Sequence, residues 1–135
     1  ASSLQLEIAV AEVVDYLRIT NDFAPALAQV VERKVAADAA RKAGIRVTTR
    51  ELQRAADGFR SLRDLNKASD THAWLKSAGI TLEALEDYLT TNILISKFKD
   101  RLVKKAPKRL SNSKAVKDTI RNLAYREWLQ EAMGD

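Results

Sequence analysis

The 135-residue sequence contains no cysteine, one histidine and only four glycines. Without cysteine the chain forms no disulfide and offers neither a thiol nucleophile nor a thiolate metal ligand. The glycines Gly44, Gly58, Gly79 and Gly134 are too far apart to form a glycine-rich phosphate-binding loop. The single histidine, His72, has no serine or cysteine partner in a recognisable catalytic motif. We therefore expect no enzyme, with no catalytic residue, no metal site and no cofactor.

Long apolar runs are also missing from the sequence. No stretch approaches the roughly 18 uncharged residues of a membrane-spanning helix, so we expect no transmembrane segment. The first residues, ASSLQLEIAV, lack the basic start and long apolar run of a signal peptide. Because the absence of cysteine fits either compartment, the sequence leaves periplasm and cytoplasm open.

What the chain does contain is the composition of a globular protein. Hydrophobic residues make up 46% and charged residues 30% of it, and its length suits one domain with a core of its own. Apolar residues recur at spacings of three and four, and no period-two strand pattern of any length is present. The sequence predicts an all-α fold, a compact bundle of about six helices forming a single domain over residues 1–135.

The helical pattern also predicts which side chains are buried and where helices begin and end. Thr48 and Glu51 have the spacing of a capping box, Thr81 caps a long helix, and Gly44 and Gly79 end the helices before them. The predicted buried faces of the first three helices are Val10, Val13, Val14 and Leu17; Phe23, Leu27, Val30, Val31 and Val35; and Leu52, Ala55, Ala56, Phe59 and Leu62.

Positive charge is concentrated in one part of the chain. Residues 97–121 contain ten lysines and arginines against two aspartates, a local net charge of +8, whereas the whole chain carries +5. The remaining residues therefore sum to −3. Such a basic segment would attract nucleic acid, acidic lipid or an acidic stretch of protein.

Four pieces of sequence together resemble a known protein family. They are the KAG turn at 42–44, the TTREL helix start at 48–52, the DTHAWL helix at 70–75 and the GITLEALEDYL helix at 79–89. In this order and spacing they resemble the helical N-terminal domain of the SurA and PpiC-type foldases. The resemblance covers Val10 to Val103 and implies a bacterial source.

The resemblance implies an architecture for the remainder of the chain. In SurA-like proteins one or more parvulin isomerase domains follow the long helix, and the chain then returns with a final helix that packs on the first part. Here residues 10–103 would be the N-terminal core, 106–113 (APKRLSNS) a short turn in place of that insertion, and 114–133 the returning helix. Since nothing in the sequence forms a parvulin domain, isomerase activity is not expected.

The resemblance further implies a chaperone of the holdase type, which binds unfolded or precursor polypeptide through apolar and aromatic surface without ATP. Large apolar side chains suit such a role, because tryptophan and tyrosine give wide contact area and methionine adapts to varied shapes. Each of these residues has an equally simple interpretation as part of the core. The predicted peptide-binding residues are Leu62, Leu65, Trp74, Tyr88, Ile95, Phe98, Tyr125, Trp128 and Met133, with a basic rim of Lys104, Lys105, Lys108 and Arg109.

Two other functions fit the same sequence. A small basic helical protein that binds nucleic acid would use the +8 segment, although its basic residues lie on both sides of Pro107 and do not line one recognition helix. A helical adaptor would bind one particular protein instead of many unfolded ones. A long last helix after a short turn is also compatible with a helix-swapped homodimer.

Overall fold

The computed structural model of the chain describes residues 7–104 and 114–134. All regular structure within these ranges is helical, and no strand is present there, which confirms the predicted all-α fold with about six helices. The predicted turn at 106–113 lies outside the described residues. The helices are α1 Val10–Ile19, α2 Phe23–Lys42, α3 Thr49–Leu62, α4 Ala68–Ala78, α5 Leu82–Val103 and α6 Lys114–Ala132.

The contacts divide the chain into two units. The N-terminal unit is residues 1–32 and the C-terminal unit is residues 33–135, with the boundary inside α2. The interpretation of residues 1–135 as one domain stays a prediction.

The first core cluster of the C-terminal unit joins α2, α5 and α6. Ala37 and Ala40 of α2 are buried against Leu94 and Phe98 of α5, and Trp128 of α6 packs on the same cluster. Alanine has no side chain beyond Cβ, and the larger side chains of α5 fill the space beside the two alanines. As predicted, the last helix packs back on earlier helices.

The second core cluster joins α3, α4 and α5. Leu75 of α4 and Leu85 and Leu89 of α5 are buried together, and the apolar face of α3 packs against them. This confirms most of the predicted α3 face, which contributes Leu52, Ala55, Ala56 and Phe59. Leu62 was predicted to be buried with them, and this was wrong: it lies in the last turn of α3 and is 86% exposed.

The predicted helix ends are confirmed where polar side chains or glycines mark them. The Thr48 hydroxyl accepts a hydrogen bond from the Glu51 amide at 3.1 Å, and the Glu51 carboxylate accepts one from the Thr48 amide at 2.9 Å, completing the capping box. Thr81 accepts the Ala84 amide at 3.1 Å in the same way. Gly44 and Gly79 have φ of 82° and 69°, the left-handed geometry that favours glycine after a helix.

The valine-rich faces predicted for the first two helices are not core. α1 contains no fully buried residue: Val10 and Val13 of its predicted face are exposed, and Val14 and Leu17 are half-buried. In the N-terminal part of α2 the side chains of Leu27, Val30 and Val31 are exposed. The buried residues of α2 are Ala36, Ala37 and Ala40, all within the C-terminal unit. Ala37 and Ala40 are covered by the larger side chains Leu94 and Phe98 of α5.

The first core cluster predicts a large effect for one substitution. Leu94 is 2% exposed and is the largest fully buried side chain of the described residues, so Leu94→Ala should lower the free energy of unfolding by about 2–5 kcal/mol. The matched control Leu62→Ala removes the same atoms from an exposed position and should change it by less than about 0.5 kcal/mol. Urea unfolding followed by circular dichroism measures both. Equal effects of the two substitutions would contradict the assigned core.

Candidate functional site

Two of the predicted peptide-binding residues belong to the core. Phe98 is part of the first core cluster, and Leu65 is buried just after α3. A side chain that is already buried has little surface left for a client polypeptide, so these two assignments are corrected. Leu62, Tyr88 and Met133 are exposed, while Trp74, Ile95, Tyr125 and Trp128 are half-buried.

Three of the predicted residues form an aromatic cluster between α5 and α6. The rings of Phe98 and Trp128 meet edge to face with centroids 4.6 Å apart, and Tyr125 stacks on Trp128 at 6.3 Å with an interplanar angle of 22°. The Lys99 ammonium lies 4.8 Å from the centre of the Tyr125 ring. Such contacts stabilise helix packing, so the primary role of this cluster is to hold α6 on α5.

Trp74 lies in a separate aromatic group at the ends of α3 and α4. Its ring meets the edge of Phe59 at a centroid distance of 5.4 Å. The guanidinium of Arg63 lies 3.7 Å from the centre of the Phe59 ring and 5.9 Å from that of Trp74. This group borders the second core cluster, and exposed Leu62 precedes Arg63 in the chain.

Tyr88 belongs to a third group, beside Arg33. The Arg33 guanidinium stacks over the Tyr88 ring at 4.6 Å. It also donates hydrogen bonds to the side-chain oxygen of Asn92 at 2.7 Å and to the Tyr88 carbonyl at 3.1 Å. The five aromatic residues of the predicted set are therefore divided among three contact groups of the C-terminal unit.

Of the predicted basic rim, Lys104 is described and exposed, and Lys105, Lys108 and Arg109 lie outside the described residues. Lys104 lines a shallow pocket of about 260 Å³ where the connection after α2 meets the last turns of α5. The other lining residues are Gly44, Ile45, Arg46, Lys97, Asp100 and Arg101.

Several charges in this pocket have structural partners. Lys97 donates to the Arg46 carbonyl at 2.7 Å and lies 2.6 Å from the Glu51 carboxylate, and Arg101 donates to the Ala43 carbonyl. Asp100 pairs with an arginine of α6, Arg121, at 2.7 Å. These bonds attach the connection after α2, and the start of α3, to α5.

A second cationic group lies between α5 and α6. Burial, together with the nearby charges of Arg121 and Arg126, lowers the pKa of Lys99. Arg121 also donates to the backbone and side-chain oxygens of Ser96 at 2.9 Å and 3.1 Å. The basic segment found in the sequence is thus partly used in joining α6 to α5.

The N-terminal unit carries exposed apolar residues, of which Val10, Val13, Leu27, Val30 and Val31 were predicted to be core. Val10 and Ile19, at the two ends of α1, are 79% and 81% exposed, and Val13 between them is 47% exposed. The spacing of three and four residues in the sequence indicated apolar helix faces here. Periodicity alone does not show whether a partner covers such a face. We call this set the N-terminal apolar surface: Ile8, Val10, Val13, Tyr16, Ile19, Leu27, Val30 and Val31.

Two further classes of site were sought in the described part of the chain. No helix there combines the length and apolar composition needed to cross a bilayer. Residues 7–104 and 114–134 also contain no group of three or more histidine, cysteine, aspartate or glutamate side chains placed to hold a metal ion.

The ion pair of Glu51 with Lys97 predicts a pH dependence of stability. Hydrogen bonds from Lys97 and from the Thr48 amide lower the pKa of Glu51 from 4.5 to about 2. A lowered pKa in the folded state stabilises the fold above pH 4.5, and this contribution is lost as the pH falls from 4.5 towards 2. Glu51→Gln keeps an acceptor for the capping box but removes the charge, so it should be less stable than the natural protein at pH 7 and equally stable near pH 2.

Urea midpoints at pH 7 and near pH 2 measure this difference. Glu131→Gln, an exposed change of the same kind near the end of α6, serves as the control and should show little difference at either pH. If the urea midpoint of Glu51→Gln were below that of the natural protein by the same amount near pH 2 as at pH 7, the carboxylate would stabilise the fold through something other than its charge.

The comparisons with known proteins add no relative. No protein-family model matches the chain, and neither a curated protein nor a solved structure is significantly similar to it. The resemblance to SurA and PpiC-type foldases therefore depends on the sequence pattern alone, and the function has to be argued from the exposed surface.

Proposed function

We propose that the protein is an ATP-independent holdase that binds unfolded or precursor polypeptide through the N-terminal apolar surface. The observation that carries the proposal is that α1 has no fully buried side chain and that Val10, Val13, Tyr16 and Ile19 are exposed, although valine, tyrosine, leucine and isoleucine make up much of the helix. An exposed apolar surface of this kind is typical of a site that binds another polypeptide or a membrane.

The low intrinsic stability of a helix as short as α1 supports the proposal that a partner binds to it. α1 has ten residues, and isolated helices shorter than about 12–15 residues are only marginally stable in water. Full burial of one large apolar side chain contributes about 1.5–3 kcal/mol. A polypeptide that covers several of these side chains would therefore supply enough free energy both to bind and to stabilise α1.

Apolar burial also suits a client that has no fixed structure. The hydrophobic effect is non-directional and scales with the area removed from water, so it tolerates many client sequences. Unfolded clients lose conformational freedom on binding, which keeps the affinity modest and allows release without ATP. This is the activity implied by the resemblance to the SurA and PpiC-type foldases, without the isomerase.

The C-terminal unit has a supporting role in this proposal. Its two core clusters give it the packing of a stable helical scaffold, and its exposed predicted residues Leu62, Tyr88 and Met133 provide additional apolar contacts for a long client. We further propose a bacterial source, as the resemblance implies. No catalytic step is proposed for any residue.

Nucleic-acid binding is the second candidate, and the pocket at the end of α5 favours it. Arg46, Arg101 and Lys104 line this pocket, and Arg101 donates to a neutral carbonyl, which does not balance its charge. Phosphate contacts release counterions, so binding of this kind falls steeply with salt. Binding by apolar burial does not, which separates the two candidates experimentally.

Fluorescence anisotropy with a labelled, permanently unfolded, apolar-rich polypeptide tests the proposal. We expect binding that persists at physiological salt. The double substitution Val10→Ser with Ile19→Ser should weaken it roughly tenfold, because two apolar contacts are lost. Both positions are exposed and lie at the ends of α1, so the C-terminal unit should be unaffected.

The matched control is Leu82→Ser with Leu123→Ser, which removes two exposed apolar side chains from the C-terminal unit and should leave the affinity nearly unchanged. A labelled DNA duplex is titrated in parallel at low and physiological salt. Salt-sensitive DNA binding without polypeptide binding would replace the holdase proposal by the nucleic-acid one. Binding of one folded protein alone would favour an adaptor.

A further inference from the structure

We propose that the N-terminal apolar surface selects polypeptide segments that are both apolar and basic. The inference rests on the proposed polypeptide-binding function and adds the chemical class of the client. Its basis is the charge that accompanies this surface, which differs in sign from that of the remaining chain.

The N-terminal unit is strongly acidic. Residues 1–32 contain five carboxylates, Glu7, Glu12, Asp15, Asp22 and Glu32, and one basic side chain, Arg18, for a net side-chain charge of −4. Since the whole chain carries +5, residues 33–135 carry +9. The exposed apolar side chains of the N-terminal unit thus lie in an acidic part of the chain, whereas the remaining residues are basic in sum.

The single arginine of the unit, Arg18, is already included in this net charge of −4. The Arg18 guanidinium lies 4.7 Å from the centre of the Phe23 ring, where it joins the end of α1 to the start of α2. Thr20 donates a hydrogen bond to the Asp22 carboxylate at 2.8 Å in the same turn, but a hydroxyl leaves the carboxylate charge in place.

The acidic side chains are near enough to influence a bound client. At 100° per residue, Glu12 and Asp15 lie on the side of α1 opposite Val10 and on either side of exposed Ile19, and Glu32 directly follows exposed Val31 in α2. Neighbouring side chains on a helix, such as Asp15 and Ile19, are about 5–6 Å apart, whereas charges are screened over about 8 Å at physiological ionic strength. Lysines or arginines at the border of a bound apolar segment therefore lie within range of these carboxylates.

The charge pattern discriminates among clients more than it adds affinity. An acidic segment would bring like charges together, which disfavours its binding, whereas a basic segment gains attraction and faster association. Apolar burial alone would accept both. The surface should therefore prefer, among apolar segments, those that carry lysine or arginine.

A second copy of the chain is a less suitable occupant. Its C-terminal unit is basic, which suits the charge of the N-terminal unit. The exposed large apolar residues described there form no continuous helical stripe, because they are spread over α3, α5, α6 and the connection before α5. They are Leu62, Ile80, Leu82, Tyr88, Val116, Leu123 and Met133. A basic apolar client segment supplies both the charge and a continuous apolar contact.

The test compares three labelled peptides with the same apolar residues and with lysine, serine or glutamate at the same intervening positions. Anisotropy titrations of the full chain at low salt should give about threefold to tenfold tighter binding for the lysine peptide than for the serine peptide, and weaker binding for the glutamate peptide. The difference should shrink at high salt, because screening removes the charge contribution.

Two charge variants locate the effect. Glu12→Gln with Asp15→Asn should abolish most of the preference for lysine while leaving the affinity for the serine peptide unchanged. Glu83→Gln with Asp87→Asn removes two exposed carboxylates from α5 of the C-terminal unit and should preserve the preference.

The outcomes separate this inference from the proposed function. Equal affinity for all three peptides would overturn the basic-client inference and leave the holdase proposal standing, whereas no binding of any of them would refute the holdase proposal itself. A lysine preference that survives Glu12→Gln with Asp15→Asn would overturn its assignment to this surface. A stable dimer in sedimentation that Val10→Ser with Ile19→Ser converts to monomer would also overturn the inference, because a second copy of the chain would then occupy the N-terminal apolar surface.

Discussion

Leu94 and Phe98, one helical turn apart on α5, bury their side chains against Ala37 and Ala40 of α2, and Trp128 of α6 closes over the same place. The C-terminal unit depends on this contact, because it joins three helices that are distant in sequence. The polar bonds around it follow from it. Once α5 lies against the end of α2, Lys97 reaches the Arg46 carbonyl and the Glu51 carboxylate, and Arg101 reaches the Ala43 carbonyl.

Helices and their ends were predictable from the sequence because local chemistry determines them. The capping box at Thr48 and Glu51, the cap at Thr81 and the glycines at 44 and 79 act within one or two turns of the chain, so they can be recognised without the fold. The identity of the buried side chains was less predictable. In the apolar run Ile93, Leu94 and Ile95 it is Leu94 that is most buried. Which of the three is buried depends on where the neighbouring helices lie.

The same limit applies to the candidate site. Trp128 and Phe98 were proposed as client contacts because large aromatic residues suit that role, yet they pack on each other. Val10 and Val13 were assigned to the core because of their spacing, yet they are exposed. Apolar periodicity shows that a helix has a face to cover. It does not show whether the partner is in the same chain or in another molecule.

The described chain thus combines a basic, well-packed helical unit with an acidic unit whose apolar side chains remain exposed. Hydrogen–deuterium exchange of α1, with and without an unfolded polypeptide, tests this account most directly. It predicts fast exchange of the α1 amides in the free protein, since no buried side chain holds the helix, and clear protection on polypeptide binding. Strong protection of α1 in the free protein, or protection by polypeptide elsewhere but not in α1, would contradict it.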